Sequence, residues 1–465
     1  MSFRFVDLFC GIGGFHAALS ALGGECVLAS DIDKDARRVY ADNWKIDPLG
    51  DINQFANESV VEVPDHEVLV GGFPCQPFSK SGRQQGMDEA RGTLFWNIAK
   101  VIEEKKPVIV LLENVRNLVG PRHLHEWEII IQTLRSLGYR VSKTPMIISP
   151  HQIRRDFGGR PQVRERVLIS ATRYPGKWSE LSDDVFPPVL DWAINSSQSW
   201  DLKTDLPLEL DEQISQPNVY LTNEEKRWIR TWENFIRAIR SANGKLPGFP
   251  LWFDVWPVKK GKELVEISSS NPAWKNEFIR KNIEYFFEHE KTIRKWYREN
   301  SIIEDFPPSR RKLEWQAQES KSIWTCLLHF RPSGIRVKKA TYVPALVAMN
   351  QTSILGAQKR RLTVRETARL QGFPDWFRFL SQPDSISYKQ LGNAVNIGVI
   401  YQVIRSQVRR DLDLLLNFPD ITRSILSKPD NPDLVLADPL NLLRGKSYKK
   451  PRKEFQEELP LRLVN

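Results

Sequence analysis

Cys75 stands in Pro74-Cys75-Gln76-Pro77, directly after the apolar run Glu67-Val68-Leu69-Val70-Gly71-Gly72-Phe73. Cysteine is the strongest neutral-pH nucleophile among side chains. Prolines on both sides, each with φ held near about −65°, stiffen the loop that would aim it. A lone cysteine is as readily a small buried apolar residue, so its company decides. Asp31 closes the run Cys26-Val27-Leu28-Ala29-Ser30, Glu113 closes Val108-Ile109-Val110-Leu111-Leu112, and Arg164 and Arg166 precede Val167-Leu168-Ile169-Ser170. A thiol, two carboxyls and two guanidiniums at the ends of apolar runs are the parts of a reaction site.

The elements that must position them read as strands. Val68 to Val70 is a short buried strand that Gly71-Gly72 ends. The alternation through Gln162-Val163-Arg164-Glu165-Arg166 sets both arginines on one strand face. Phe3 to Phe9 is a further strand, followed by a glycine turn (Gly11, Gly13, Gly14) that opens an Ala/Leu-rich helix. Open parallel α/β sheets keep their sites at such strand ends. Gly11-x-Gly13 lacks the third glycine of a pyrophosphate loop, because His16 occupies that place. A nucleoside cofactor without a pyrophosphate, S-adenosylmethionine, fits better than a nicotinamide. Asp31, twenty positions after Gly11, then accepts hydrogen bonds from the ribose, and Asp51 with Ile52 holds the adenine.

In motif content and order the chain resembles the DNA cytosine-5 methyltransferase family, of the bacterial restriction-modification type. Asp7-Leu8-Phe9-Cys10-Gly11-Ile12-Gly13-Gly14-Phe15 is similar to its cofactor motif and Gly72-Phe73-Pro74-Cys75-Gln76-Pro77-Phe78-Ser79 to its nucleophile motif. Arg91-Gly92-Thr93-Leu94-Phe95, Glu113-Asn114-Val115, and Gln162 to Arg166 follow in order. Arg361 to Glu366, Arg369 to Pro374 and Gln390-Leu391-Gly392-Asn393-Ala394-Val395 come after a long gap. The likeness covers roughly 3 to 172 and 331 to 405.

The resemblance implies that Cys75 adds to C6 of a cytosine. Arg164 and Arg166 lower its pKa, and Glu113 holds N3 with a carboxyl of raised pKa. Glu113 could also cap the next helix or pair with Arg164. Phe9, Gly11, Gly13, Gly14, Asp31, Ile32, Asp51, Ile52, Gly72, Pro74, Leu94, Asn393 and Val395 would surround S-adenosylmethionine, with Asn393 and Val395 at its methionine end. The base must leave the duplex, and Ser79, Lys80, Ser81 and Arg83 lie in the polar loop that closes over it. Ser333, Arg336, Lys338 and Lys339 are expected on DNA. Ala345-Leu346 and Ala394 depart from the family's usual Thr-Leu and Ser.

Charge agrees with a nucleic-acid partner. The formal net charge is +10, and residues 320 to 365 hold nine Lys or Arg and no acid. Interleaved with Phe330, Pro332, Gly334, Tyr342 and Pro344, that run reads as a looped, phosphate-contacting surface. Four cysteines without a C-x-x-C pair or a His cluster indicate neither zinc nor a disulfide framework. No apolar run is long enough for a signal peptide or a membrane span.

The expected architecture is α/β: a doubly wound Rossmann-like methyltransferase lobe with a smaller DNA-recognition lobe. Residues 1–172 form the catalytic domain, 173–355 the variable target-recognition region, 356–405 the segment that returns to complete the first lobe, and 406–465 an extension without an assigned role. Within the middle region, Thr222-x-x-Glu225 caps one helix that Asn243-Gly244 stops, and Asn271-Pro272 starts another running through Trp296. The expected protein is a cytoplasmic, nucleoid-associated monomer acting on duplex DNA, with a restriction endonuclease for the same site as a possible partner. An RNA (tRNA) cytosine methyltransferase and a catalytically inactive DNA-binding relative are the alternatives. The recognised bases are not legible, because no code links such a region to a site.

Overall fold

The computed structural model describes residues 2–74, 93–176, 185–193, 199–214, 216–259, 265, 267–345 and 352–443. Its first sheet has seven strands, β1 (Arg4–Leu8), β2 (Glu25–Ser30), β3 (Val68–Gly72), β4 (Ile109–Val115), β5 (Tyr139–Val141), β6 (Met146–Ile148) and β8 (Arg166–Arg173). They run in the order β2-β1-β3-β4-β8-β5, with β6 also paired to β8. β2, β1, β3 and β4 are parallel, while β8 runs against β4.

The near-continuous apolar runs of the sequence follow from burial on both sheet faces. Phe5, Val68, Val70, Ile109 and Leu111 pack with the helices Gly14–Ala21 and Ile397–Arg410. Val6, Leu8, Leu69, Val110 and Leu112 pack with Leu94–Lys105 and Leu124–Ser136. This is a doubly wound sheet whose second face is completed by residues from the end of the chain. β3 does not stop before its glycines. Gly71 and Gly72 stay in the ladder opposite Leu112 and Glu113, and a Cβ on Gly71 would come within 3.2 Å of the Leu8 carbonyl.

A second sheet contains β9 (Leu251–Trp252), β10 (Lys312–Gln316), β11 (Leu327–Arg331), β12 (Gly334–Lys338), β14 (Ile354–Leu355) and β15 (Arg360–Arg361), in the order β15-β14-β11-β12-β10-β9. Its core gathers Trp232, Phe235, Trp256 and Trp296. The Thr222/Glu225 capping box starts the helix Asn223–Ser241, and Asn243 turns left-handed at φ 57 just beyond it. The second expected helix is two, Ala273–Glu288 and Glu290–Glu299, broken at His289. Phe286 of the first and Ile293 and Trp296 of the second enter the same core.

A third, two-stranded ribbon joins the parts: β7 (Gln162–Val163) lies parallel to β13 (Val343–Pro344). Near it Arg360 and Glu366, both buried, form a bidentate pair at 2.8 and 2.9 Å. Breaking such a pair strands a buried charge, at a cost of about 3–5 kcal/mol. Arg361 pairs with Glu225, and Arg365 donates to the carbonyls of Pro374 and Phe377. Three cations of the basic run therefore act as internal fasteners.

Residues 406–443 pack on the first lobe. Asp411, fully buried, accepts from Thr172 Oγ1 at 2.6 Å and from Arg140 at 3.3 Å, and Ser424 Oγ donates to the Leu22 carbonyl. Among the described residues no helix is long and apolar enough to cross a membrane.

Candidate active site

Parallel β1 to β4 end on one edge of the sheet, and antiparallel β8 begins there. Register sets Gly72 opposite Glu113, Glu113 opposite Leu168, and Val115 opposite Arg166. A cavity of about 400 Å³ opens along that edge. Phe9, Gly11, Asp31, Ile32, Asp51, Ile52, Gly72, Pro74, Leu94 and Asn393 line it, together with Glu113, Arg164 and Arg166.

Asp31 is held before any ligand arrives. Its two oxygens accept the backbone N–H groups of Gly11 and Asp33, each at 2.8 Å. Burial raises its pKa against the pull of those hydrogen bonds. The glycine turn places Gly11 by a left-handed backbone, φ 53, and Trp44 Nε1 donates to the Ile12 carbonyl at 3.0 Å to fix it.

Gly13 and Gly14 do not line the cavity; they are where other parts approach. A Cβ on Gly13 would fall 2.1 Å from Trp44 Nε1, and one on Gly14 would fall 2.7 Å from the Val395 carbonyl oxygen. Asn393 lines the cavity, while Val395 packs on that turn, near Gly72, and lines a small neighbouring pocket with Glu113, Arg164 and Arg166. Asp51 lines the cavity but spends one oxygen capping the short turn Ile52–Gln54.

Glu113 is buried near the end of β4. Desolvation raises its pKa, opposed by the charges of Arg166 and Arg164. Its ion partner is Arg166, with Nε 2.9 Å from Oε1, and the charge of Arg164 acts on it as well. The two arginines do not share a strand face. β7 ends at Val163 to pair with β13, and β8 begins at Arg166 to pair with β4, leaving Arg164 and Glu165 as the step between sheets. The step still turns both guanidiniums to the cavity. Arg164 is buried, donates to the Ala394 carbonyl at 2.9 Å, and gives its backbone N–H to Ser149 Oγ at 2.7 Å. Burial pulls its pKa down to about 9, so it remains a cation at neutral pH.

Asn114 Nδ2 donates to the Phe73 carbonyl at 2.9 Å, tying the end of β4 to the strand that leads into Pro74. Cys75, Ser79, Lys80, Ser81 and Arg83 lie outside the described residues. Phe73, Asn114, Gln390 and Gly392 also line the cavity. All four lie inside motifs read from the sequence, which carried no signal of their separate places. The approach of Lys389 Nζ to Asp33 Oδ2, 3.6 Å, was not legible at all.

In the second sheet, Ser333 is exposed at the β11–β12 turn. Arg336 Nε meets Glu314 at 2.6 Å, and Lys339 lies exposed, 3.5 Å from Glu319. Partial burial and the neighbouring guanidiniums of Arg336 and Arg331 pull the Lys338 pKa down. Among the described residues no group of three His, Cys, Asp or Glu could hold a metal ion.

A doubly wound sheet with this strand-edge cavity defines the Rossmann-like methyltransferase class. The chain belongs to the C-5 cytosine-specific DNA methylase family, which it matches over residues 3–409, and is a DNA cytosine-5 methyltransferase. It is 43% identical to Type II methyltransferase M.AluI of Cellulosimicrobium cellulans over 94% of this chain and 98% of that one. Type II methyltransferase M.BanI of Aneurinibacillus aneurinilyticus is 28% identical over 89% and 98%. With M.HhaI of Haemophilus parahaemolyticus the identity is 41%, over 37% of this chain and 49% of the relative.

Proposed function

We propose that the chain transfers the methyl group of S-adenosylmethionine to C5 of a cytosine turned out of duplex DNA, through a covalent bond between Cys75 and C6. One observation carries the reading: Asp31, Pro74, Glu113 and Arg166 line the same cavity, so a nucleoside-binding acid, the residue before a thiol and a buried acid–cation pair share one space.

The residues fit the cofactor. Asp31, anchored by two backbone N–H groups, keeps acceptor capacity for ribose hydroxyls. Ile32, exposed to 74%, and Ile52 offer apolar surface to a flat base, and Asn393 offers a polar group at the far end. When bound, S-adenosylmethionine supplies an electrophilic methyl group.

The chain's own groups prepare the acceptor. C5 of cytosine is too electron-poor to attack a methyl donor directly. The Cys75 thiolate adds to C6, and the ring electrons move towards C5. Glu113, with its raised pKa, donates a proton or hydrogen bond to N3 as the addition proceeds. Arg166 beside Glu113 and Arg164 behind it stabilise negative charge developing in the dry site. Once C5 carries the methyl group, a water molecule takes the C5 proton, the C5–C6 double bond re-forms and expels Cys75 as thiolate, and any proton given to N3 returns to Glu113.

The same reading assigns the chain a duplex DNA substrate and a restriction-modification setting with an endonuclease that reads the same site. It acts as a monomer in the cytoplasm, associated with the nucleoid. Its full-length likeness to two type II methyltransferases supports that setting. The test is a duplex with 5-fluorocytosine at the methylated position, the site first found by bisulfite mapping in cells expressing the chain. Fluorine cannot leave as a cation, so the expected product is a denaturation-resistant adduct that requires S-adenosylmethionine and maps to Cys75. A fluorinated duplex that neither traps nor inhibits the protein excludes addition at C6.

A further inference from the structure

Three contacts from the second lobe converge on the short stretch that carries Arg164. β13 lies parallel to β7, with Val343 opposite Gln162 and Pro344 opposite Val163. The residue after Val163 is Arg164. Next, the ring of Tyr342 packs on the imidazole of His151, centroids 5.3 Å apart. His151 Nδ1 is 2.8 Å from Ser149 Oγ, and that oxygen accepts the backbone N–H of Arg164 at 2.7 Å. Finally, Trp200 Nε1 donates to the His151 carbonyl at 2.7 Å, while Leu202 N–H donates to the Ala340 carbonyl at 3.0 Å. The outgoing and returning segments of the second lobe are thus tied to each other and to His151.

Arg164 therefore has attachments on two sides. One is the cavity wall, through Ala394. The other is a strand and a ring that continue directly from the β12 segment carrying Arg336 and Lys338. Neither Tyr342 nor His151 lines the cavity; the contacts traced above tie them to it through Ser149 and Arg164.

We infer that β13 and the Tyr342–His151–Ser149 chain carry the fit of a DNA site on the second lobe to Arg164, making His151 and Tyr342 positioning residues that couple sequence recognition to methyl transfer. The inference rests on the methyltransferase reading above. Paired backbone and packed rings transmit a small displacement of the lobe instead of absorbing it. A group at the reacting centre displaced by as little as about 1 Å can cost up to about 10²-fold in rate.

The probes are short duplexes carrying the bisulfite-mapped site and duplexes with one base pair of it changed. Single-turnover methyl transfer and duplex affinity are measured for the wild type, Tyr342→Ala, His151→Ala, the double variant, Tyr342→Phe and His151→Asn. Each alanine variant is expected to slow transfer on the mapped site by about fivefold or more, with little change on the altered duplexes or in duplex affinity, so discrimination falls. The double variant is expected to be no worse than either single one, because both act along one path. Phe keeps the ring and Asn keeps a hydrogen-bonding group near the position of Nδ1, so both retain discrimination. Equal slowing on every duplex, an additive double variant, or intact discrimination in both alanine variants overturns the coupling while leaving the methyltransferase reading in place. A wild-type chain that methylates no cytosine overturns both.

Discussion

Arg164 and Ala394 lie 230 positions apart in the chain and are joined by one hydrogen bond of 2.9 Å, guanidinium to carbonyl, inside the protein. That bond fastens the segment holding Gln390 and Asn393 to the wall that holds Glu113. Arg164→Lys keeps a positive charge but replaces a planar fork by a point donor on a different stem. The expected result is a fall in kcat of at least about tenfold together with weaker S-adenosylmethionine binding, because the return segment loses its anchor. Steady-state kinetics and calorimetry read the two effects. A variant with normal kcat and normal cofactor affinity would show that the bond only braces the fold.

Asp31 and Asp33 separate binding from stability. Asp31→Ala is expected to weaken S-adenosylmethionine binding by about 1–3 kcal/mol, the scale of a lost charge-assisted hydrogen bond. Asp33 caps the helix Lys34–Trp44 by accepting from Asp35 and Ala36 N–H. Asp33→Ala should therefore cost about 1 kcal/mol of stability and less affinity than Asp31→Ala. Calorimetric titration and denaturant unfolding distinguish them, and reversed effects would move the ribose contact to Asp33.

His329 sets a pH dependence in the second lobe. It is buried, bonded through Nε2 to Ser353 Oγ at 2.7 Å, and its pKa is pulled down to about 3, first by burial and then by Arg331, Lys338 and Arg336. The unfolded chain takes up this proton below an ordinary histidine pKa of about 6.5. The folded chain does not until about pH 3. Stability from this group is complete above pH 6.5 and lost as pH falls through that window, at up to about 1.4 kcal/mol per unit. His329→Gln should flatten the acid limb of a plot of unfolding free energy against pH. Parallel curves for variant and wild type would contradict the burial.

Lys338 and Lys339 test the DNA surface. Replacing both by Ala is expected to weaken binding to all duplexes alike and to reduce the salt slope by about two, roughly one per lost phosphate contact. Fluorescence anisotropy at several salt concentrations measures it. A change in which sequence is preferred would mean that one of them reads a base edge.

The sequence by itself determined the strands, the glycine turn and the strand-end chemistry, because these are local. Apolar runs from Val68 to Val70 and from Ile109 to Leu112 can only be satisfied inside a covered sheet, and Asp31, Glu113 and Arg166 follow from such runs or lead into them. The Thr222 capping box was legible for the same reason: its partners are three residues apart.

Tertiary structure alone decided what depends on partners distant in the chain. Arg164 and Arg166 alternate as a strand would, yet β7 ends at Val163 to pair with β13 and β8 begins at Arg166 to pair with β4, so Arg164 falls in the step between two sheets. Nine cations between 320 and 365 look alike in sequence, but Arg360 is consumed by Glu366 and Arg361 by Glu225. Gly14 and Val395 occupy motifs that suggest cofactor contact, and pack on one another. A side chain's type fixes what it can bond; which groups the fold brings within about 3 Å of it determines what it does.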